Sequence, residues 1–292
     1  MVNMNQLSKA KRAQVVAALV EGNSIRATVR MTGVAKNTVT KLLVDLGRAC
    51  SEYQDGELQN LRSKRIECDE IWSFCHSKQK NVSPDHEGEF GYGDVWTWVA
   101  IDADTKLVPT WLVGERNLED AYAFIADLQS RLRGRIQLTT DGLRLYLDVV
   151  DILMRDRVDY AVLHKMYGKT PENESRYSPA TCTGIEKKIM MGDPDPKKIS
   201  TSYIERQNLT MRMGMRRFAQ LTNAFPKKVE NLGHAVSLHF MHYNFARPHK
   251  TLSKPYPTTP AMAAGIADHV WSIEEIVGLL DAEALDEEAV SN

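Results

Sequence analysis

Between residues 64 and 163 the apolar periodicity changes several times, and the order of those changes limits the fold more than any other feature. Residues 66–74 and 95–101 alternate with a period of two, Trp96 and Trp98 on one side and Val95, Val99 and Ile101 on the other. Asp104-Thr105-Lys106 is turn chemistry, and 107–113 reads as a third strand. Over 118–132, Leu118, Ala121, Phe124, Ile125, Leu128 and Leu132 recur at helical spacing. A strand at 136–140, a helix at 144–155 and a strand at 159–163 follow. Three strands, helix, strand, helix, strand predicts an α/β sheet that begins as an antiparallel meander.

That order matches the pattern of ribonuclease H-like α/β cores, by analogy of element order. The flanks differ from it. Residues 7–48 read as three short helices, with Ser8 and Ser24 as caps and Thr32-Gly33 as a tight turn. Helix, glycine turn, helix is the helix-turn-helix arrangement. Its third helix would expose Lys36, Asn37, Thr38, Thr40 and Lys41, side chains suited to phosphates and base edges. A small helical bundle with no DNA role fits the same spacing. The expected organisation is an all-α helix-turn-helix domain at 1–50, a polar linker at 51–63, and a catalytic domain at 64–265. An irregular insert at 165–200, rich in Pro, Gly and Asp, would interrupt that domain. An acidic helix and tail at 266–292 would close the chain and fray after Asp281.

Net charge is −1, yet the charges are segregated. Residues 1–50 carry eight bases against two acids, and 197–228 carry eight bases against Glu205 alone. From Ile266 onward there are eight acids and no Lys or Arg. The acidic end conceals two basic zones able to bind phosphate, unless they are solvated helix faces. Four cysteines without a CxxC pair imply neither a disulfide framework nor a zinc module. His239 and His242 are three apart on an expected helix but lack further ligands at a zinc spacing. With no apolar run of membrane-spanning length and no signal-peptide core, the expectation is a cytoplasmic protein.

Three acids stand where metal chemistry would place them. Asp69 lies within the first strand, Asp141 ends the fourth, and Glu205 lies on a helix starting near Ser202. Two strand-borne aspartates and a helix-borne glutamate can cage divalent cations for phosphoryl transfer. Asn208 and Arg212 follow Glu205 at i+3 and i+7 and share its stripe, where both would contact DNA, Arg212 by holding a phosphate, while Ile204, Met211, Met215 and Phe218 form an apolar stripe. Each acid has a second reading: Asp69 as a sheet-edge ion pair, Asp141 as a turn residue before Gly142, and Glu205 as the end of a Ser202–Glu205 capping box.

Four motifs carry a resemblance to a known family. Cys-Asp-Glu-Ile-Trp (68–72), Thr-Thr-Asp-Gly (139–142), Ser-Thr-Ser-Tyr-Ile-Glu-Arg-Gln-Asn-Leu-Thr-Met-Arg (200–212) and Phe-Met-His-Tyr-Asn-Phe-Ala-Arg-Pro-His-Lys-Thr-Leu (240–252) resemble DDE-type insertion-sequence transposases. The nearest family in motif is insertion sequence 1, over roughly 64–275. The resemblance implies Asp69, Asp141 and Glu205 as catalytic, metal-binding acids and Arg212 as a basic partner. It implies two magnesium or manganese ions and cleavage and strand transfer on double-stranded DNA, at element ends and target. It also implies a homodimer or higher oligomer. The cysteine-rich element that often begins such proteins is missing. Two other readings stand beside it: a non-catalytic DNA-binding regulator, and a structure-specific nuclease of the same fold.

Overall fold

The computed structural model describes residues 7–168, 182–219 and 224–290. Three helices open the chain: α1 (Lys9–Val20), α2 (Ile25–Thr32) and α3 (Lys36–Glu57). The Ser8 and Ser24 hydroxyls accept from the Lys11 and Ala27 amides, capping α1 and α2 as their sequence suggests. Gly33 ends α2 at φ 71°, a left-handed geometry that glycine adopts without steric cost. The apolar stripe Val39, Leu42, Leu43 and Leu46 is buried. Contrary to the expected linker, α3 is a single helix running through residue 57, because its buried side continues with Cys50, Gln54 and, just beyond, Leu58.

The strands are β1 (Arg65–Cys75), β2 (Gly93–Asp102), β3 (Trp111–Gly114), β4 (Ile136–Thr140), β5 (Val158–Tyr167) and β6 (Cys182–Met191). They form one sheet in the order β3-β2-β1-β4-β5-β6. β1, β2 and β3 pair antiparallel, β1–β4 and β4–β5 parallel, and β5–β6 antiparallel. This mixed α/β arrangement is consistent with the ribonuclease H-like core expected. α4 (Leu118–Arg131) and α5 (Arg144–Met154) cover one face, where buried Trp98 of β2 meets Phe124 and, edge-on, Tyr146. α6 (Ser202–Gly214) packs on β1 and β2 from the other side.

Two strands differ from expectation. β3 starts at Trp111 rather than 107, because Leu107 and Val108 are buried in a loop and Val108 is held by a side chain instead of a strand. β6 was read as irregular insert or small hairpin, and is a ten-residue edge strand. Nearly every β6 residue is exposed, so no inside–outside alternation marks it in the sequence. The Pro171 and Ser178-Pro179 breaks of that insert lie outside the described residues.

The chain closes with α7 (Val229–Met241), a π-helical turn (His242–Ala246), α8 (Pro260–Ala263) and α9 (Ile273–Val290). α9 continues past Asp281, where fraying was expected; the segment beyond is rich in Ala, Leu and Glu and lacks Gly and Pro. α3 and α7 approach so closely that a Cβ on Gly47 would lie 2.5 Å from His234 Cβ. The π turn buries three successive residues, Tyr243, Asn244 and Phe245, which a regular helix would distribute around its circumference. Asn244 Oδ1 accepts from the Val108 amide (3.0 Å), and its Nδ2 donates to Val108 O (2.9 Å) and Gln54 Oε1 (3.3 Å). Tyr243 donates to Lys106 O at 3.0 Å. The Tyr-Asn pair of the fourth motif therefore ties the C-terminal helices to α3 and the β2–β3 loop.

Asn244→Ala should leave the amide and carbonyl of Val108 unpaired in a fully buried site. The expected cost is about 3 kcal/mol, measured by urea unfolding. A change within about 0.5 kcal/mol, the range of ordinary surface substitutions, would mean that this bridge does not hold the elements together.

Candidate metal centre

The parallel register of β1 with β4 runs from Arg65↔Gln137 to Cys68↔Thr140 and stops there. The next rung would be Asp69 beside Asp141. Two carboxylates thus meet at the carboxyl end of β4, the location where open α/β sheets place ligands. Glu70 joins them: carboxylate oxygens of Asp69, Glu70 and Asp141 lie within 4.8 Å of one another. Strand alternation puts Asp69 on the α6 side and Glu70 on the α5 side. Because β4 has ended, both open onto one crevice, which is why Glu70 did not stand out by alternation. Its adjacency to Asp69 in the sequence was the available signal.

Each acid is held separately. Asp69 Oδ1 accepts from the Glu70 amide (2.9 Å) and Oδ2 from Asn208 Nδ2 (2.9 Å). Asp141 Oδ1 accepts from the Leu143 amide at 3.0 Å, the turn role its Gly142 neighbour suggested. Glu70 Oε2 lies 3.2 Å from Arg116 Nη2, while Oε1 is buried with no partner, and the Tyr146 hydroxyl beside it forms no well-aligned bond. Burial, then the charge of Asp141, pushes the Asp69 carboxyl up to about 7, with Glu205 adding to the rise. Burial likewise takes Glu70 to about 7, further raised by Asp141 and Asp69.

Glu205 is close enough to act on Asp69 but is not among the three converging carboxylates. Its Oε2 pairs with Lys165 of β5, and its Oε1 accepts from the Thr201 hydroxyl at 2.5 Å. The Ser202–Glu205 capping box does not form. Thr201 is the N-cap, which makes Glu205 the fourth helical residue rather than the third, and Glu205 bonds the Thr201 hydroxyl instead of its amide. The orphan amides of Tyr203 and Ile204 donate instead to Glu67 Oε2, at 2.8 and 3.0 Å. Glu67 therefore fastens the first turn of α6 to β1, two residues from Asp69. Burial raises its carboxyl to about 7, opposed by those two amide bonds.

Ile204 and Met211 of α6 are buried as expected, as are Met215 and Phe218, which lie just beyond the end of the helix. Asn208, expected among the DNA contacts, is buried and turned onto Asp69, so it positions a carboxylate. Arg212 is exposed, as are Lys36, Asn37 and Thr38 at the start of α3; Thr40 is half-buried, and Lys41 is exposed and paired with Asp45. The start of α3 stands apart from the acidic cluster and lines a groove with the end of α6.

The donor set suits a hard divalent cation. It offers three convergent carboxylates, one buried oxygen without a partner, and one counter-charge, Arg116, on Glu70 alone. Among the described residues no other group of three possible ligands converges this closely.

No protein family and no curated protein matches the chain. Among solved structures, a piggyBac transposase synaptic complex with hairpin DNA is 10% identical with a TM-score of 0.37, over 93% of this chain and 69% of that one. A pre-cleavage Mos1 transpososome is 9% identical with a TM-score of 0.25, over 83% and 80%. At such values neither likeness bears on fold or activity, and the resemblance to insertion sequence 1 proteins rests on the motifs alone.

The raised carboxyls fix the sign of a pH effect. Between roughly pH 4 and 7 the unfolded acids ionise while the folded ones keep protons, so stability without metal falls as pH rises through that window. Manganese or magnesium should raise the melting temperature more at pH 8 than at pH 5. Asp69→Asn keeps the Glu70 contact, and Asn208, which now donates through Nδ2, can turn its amide over so that the unpartnered Oδ1 accepts from the new amide. In EDTA at pH 8 it should melt roughly 2–6 °C higher and lose its response to manganese. A lower melting temperature, or an undiminished response, would contradict this account of the cluster.

Proposed function

We propose that the chain is a DNA transposase of the DDE type, acting through a two-metal centre on element ends. The observation that supports this best is the Asp69–Asp141 rung at the end of β4, with α6 fastened beside it by Glu67. In this reading Asp69 and Asp141 would hold the metal, with Glu205 of α6 as the third acid once freed from Lys165. Magnesium or manganese supplies Lewis acidity and an activated water or 3′-hydroxyl.

The chain's own groups do the remainder. Asn208 orients Asp69 by donating to Oδ2. Arg116 holds Glu70 by its Oε2 and leaves Oε1 buried without a hydrogen-bond partner. Lys165 holds Glu205 in an ion pair, and once released it is a cation available to a phosphate beside the acids. Arg212, exposed on the last turn of α6, contacts the DNA backbone. Residues 7–48 act as a helix-turn-helix, with Lys36, Asn37, Thr38, Thr40 and Lys41 on the duplex. Joining two ends requires a homodimer or larger assembly.

Glu205→Gln removes the metal-binding charge at nearly constant size. Nicking of supercoiled plasmid in manganese should fall by at least two orders of magnitude, with gel-shift affinity on the same preparation unchanged. Undiminished nicking would remove Glu205 from the centre. Joining of pre-cut ends to a target separates a transposase from a nuclease, which nicks without joining, and from a regulator, which does neither.

A further inference from the structure

The two basic zones, far apart in sequence, face each other across one groove. Its volume is about 1210 Å³, above the ~300–1,000 Å³ of small-molecule pockets. One wall carries Arg26, Arg30, Lys36 and Lys41, from α2 and the start of α3. The other carries Arg216, Arg217, Lys227 and Lys228, from the two ends of the α6–α7 connection. No aspartate or glutamate lines it among the described residues. Among the described residues, Lys41 alone of these eight cations has an acidic partner, Asp45 one turn along its own helix.

The walls are held in register. Gly22, at φ 80° in the α1–α2 turn, lies so near the end of α6 that a Cβ there would be 3.0 Å from Gly214 O. Arg217 is half-buried, and desolvation lowers its pKa with no acid to offset it. The fold keeps this cation partly out of water without a counter-charge, an arrangement an anion would relieve. Neutral hydrogen-bonding groups, Asn23, Asn37, Thr40 and Asn231, are interspersed among the cations.

We propose that this groove seats the backbone of one DNA duplex, gripped at once by the N-terminal helices and by the residues that follow α6 (215–217) and precede α7 (224–228). The inference rests on the proposed function, and it changes the part played by α2 and α3: they form half of a composite site instead of an independent reader. It also links binding to chemistry. Nine residues of α6 separate Glu205 from Gly214 at the groove, about 14 Å at ~1.5 Å per residue. That is roughly four nucleotides at ~3.4 Å per step.

The test uses the full chain, a fluorescent 30-base-pair duplex and EDTA, with affinity measured against salt. The variants are Arg30→Gln and Lys228→Gln, one exposed cation from each wall, the pair together, and Arg62→Gln as an exposed cation outside the groove. Each wall variant should lower the steepness of log K against log salt by about 0.9, and the pair by about 1.8. Arg62→Gln should match wild type, stoichiometry should be one duplex per chain, and melting temperatures should not move. A loss confined to Arg30→Gln, or wild-type slopes for both walls, overturns the composite groove. So does a slope change seen with duplex RNA and not with DNA. Manganese-dependent nicking by wild type, assayed in parallel, separates the two ideas. Nicking with unaffected wall variants removes the groove and leaves the transposase reading. Wall-dependent binding without nicking or joining keeps the groove and removes that reading.

Discussion

The β1–β4 parallel ladder is the constraint on which the acidic centre depends. A parallel pair leaves no freedom over which residues are neighbours once register is set, and burial of Ile66, Cys68 and Leu138 sets it. Ending the ladder at Cys68↔Thr140 leaves the next rung open, with an aspartate on each strand. Glu70 enters the same opening from the opposite face. Acids 72 residues apart in sequence are thus brought together by backbone hydrogen bonds, whatever their side chains prefer.

Their side chains do not prefer it. Burial and mutual repulsion raise both Asp69 and Glu70 to about 7, and the neighbouring groups answer the charge only in part: Arg116 on Glu70, Asn208 on Asp69, Lys165 on Glu205. Perturbed carboxyls in a crevice are a recognised mark of functional sites. Glu67 contributes differently. It spends its charge on two amides of α6, so the helix bearing Glu205 and Asn208 is anchored to the strand bearing Asp69. A local capping box would have left α6 free to settle anywhere on the sheet.

The N-terminal helices are bound into the rest by packing as well as by chain continuity. α3 runs uninterrupted from the basic groove to the body, with Gln54 bonded to Ser237 O and Asn244. Gly22 on Gly214 and Gly47 on His234 are contacts that any larger residue would push apart. The basic walls therefore keep a fixed relation to α6, and through α6 to the acids.

The sequence by itself determined the element order from 66 to 163, the caps of α1 and α2, the apolar stripes of α3 and of residues 204–218, and the positions of Asp69 within β1 and Asp141 at the end of β4. These are local properties: periodicity, hydroxyls before helices, and acids placed on or just after a strand. Tertiary structure alone decided the rest. Exposed β6 carries no alternation to read, and residues 51–57 look polar although Gln54 among them is buried and bonds Ser237 O of α7. Glu70 gained its place because a neighbouring strand ended, Glu205 was drawn to Lys165, and Glu67 took the capping role from a nearby match in sequence. The meeting of two distant basic zones was likewise invisible until the fold set them face to face. Each of these depends on which elements become neighbours in space, and one-dimensional spacing does not encode that.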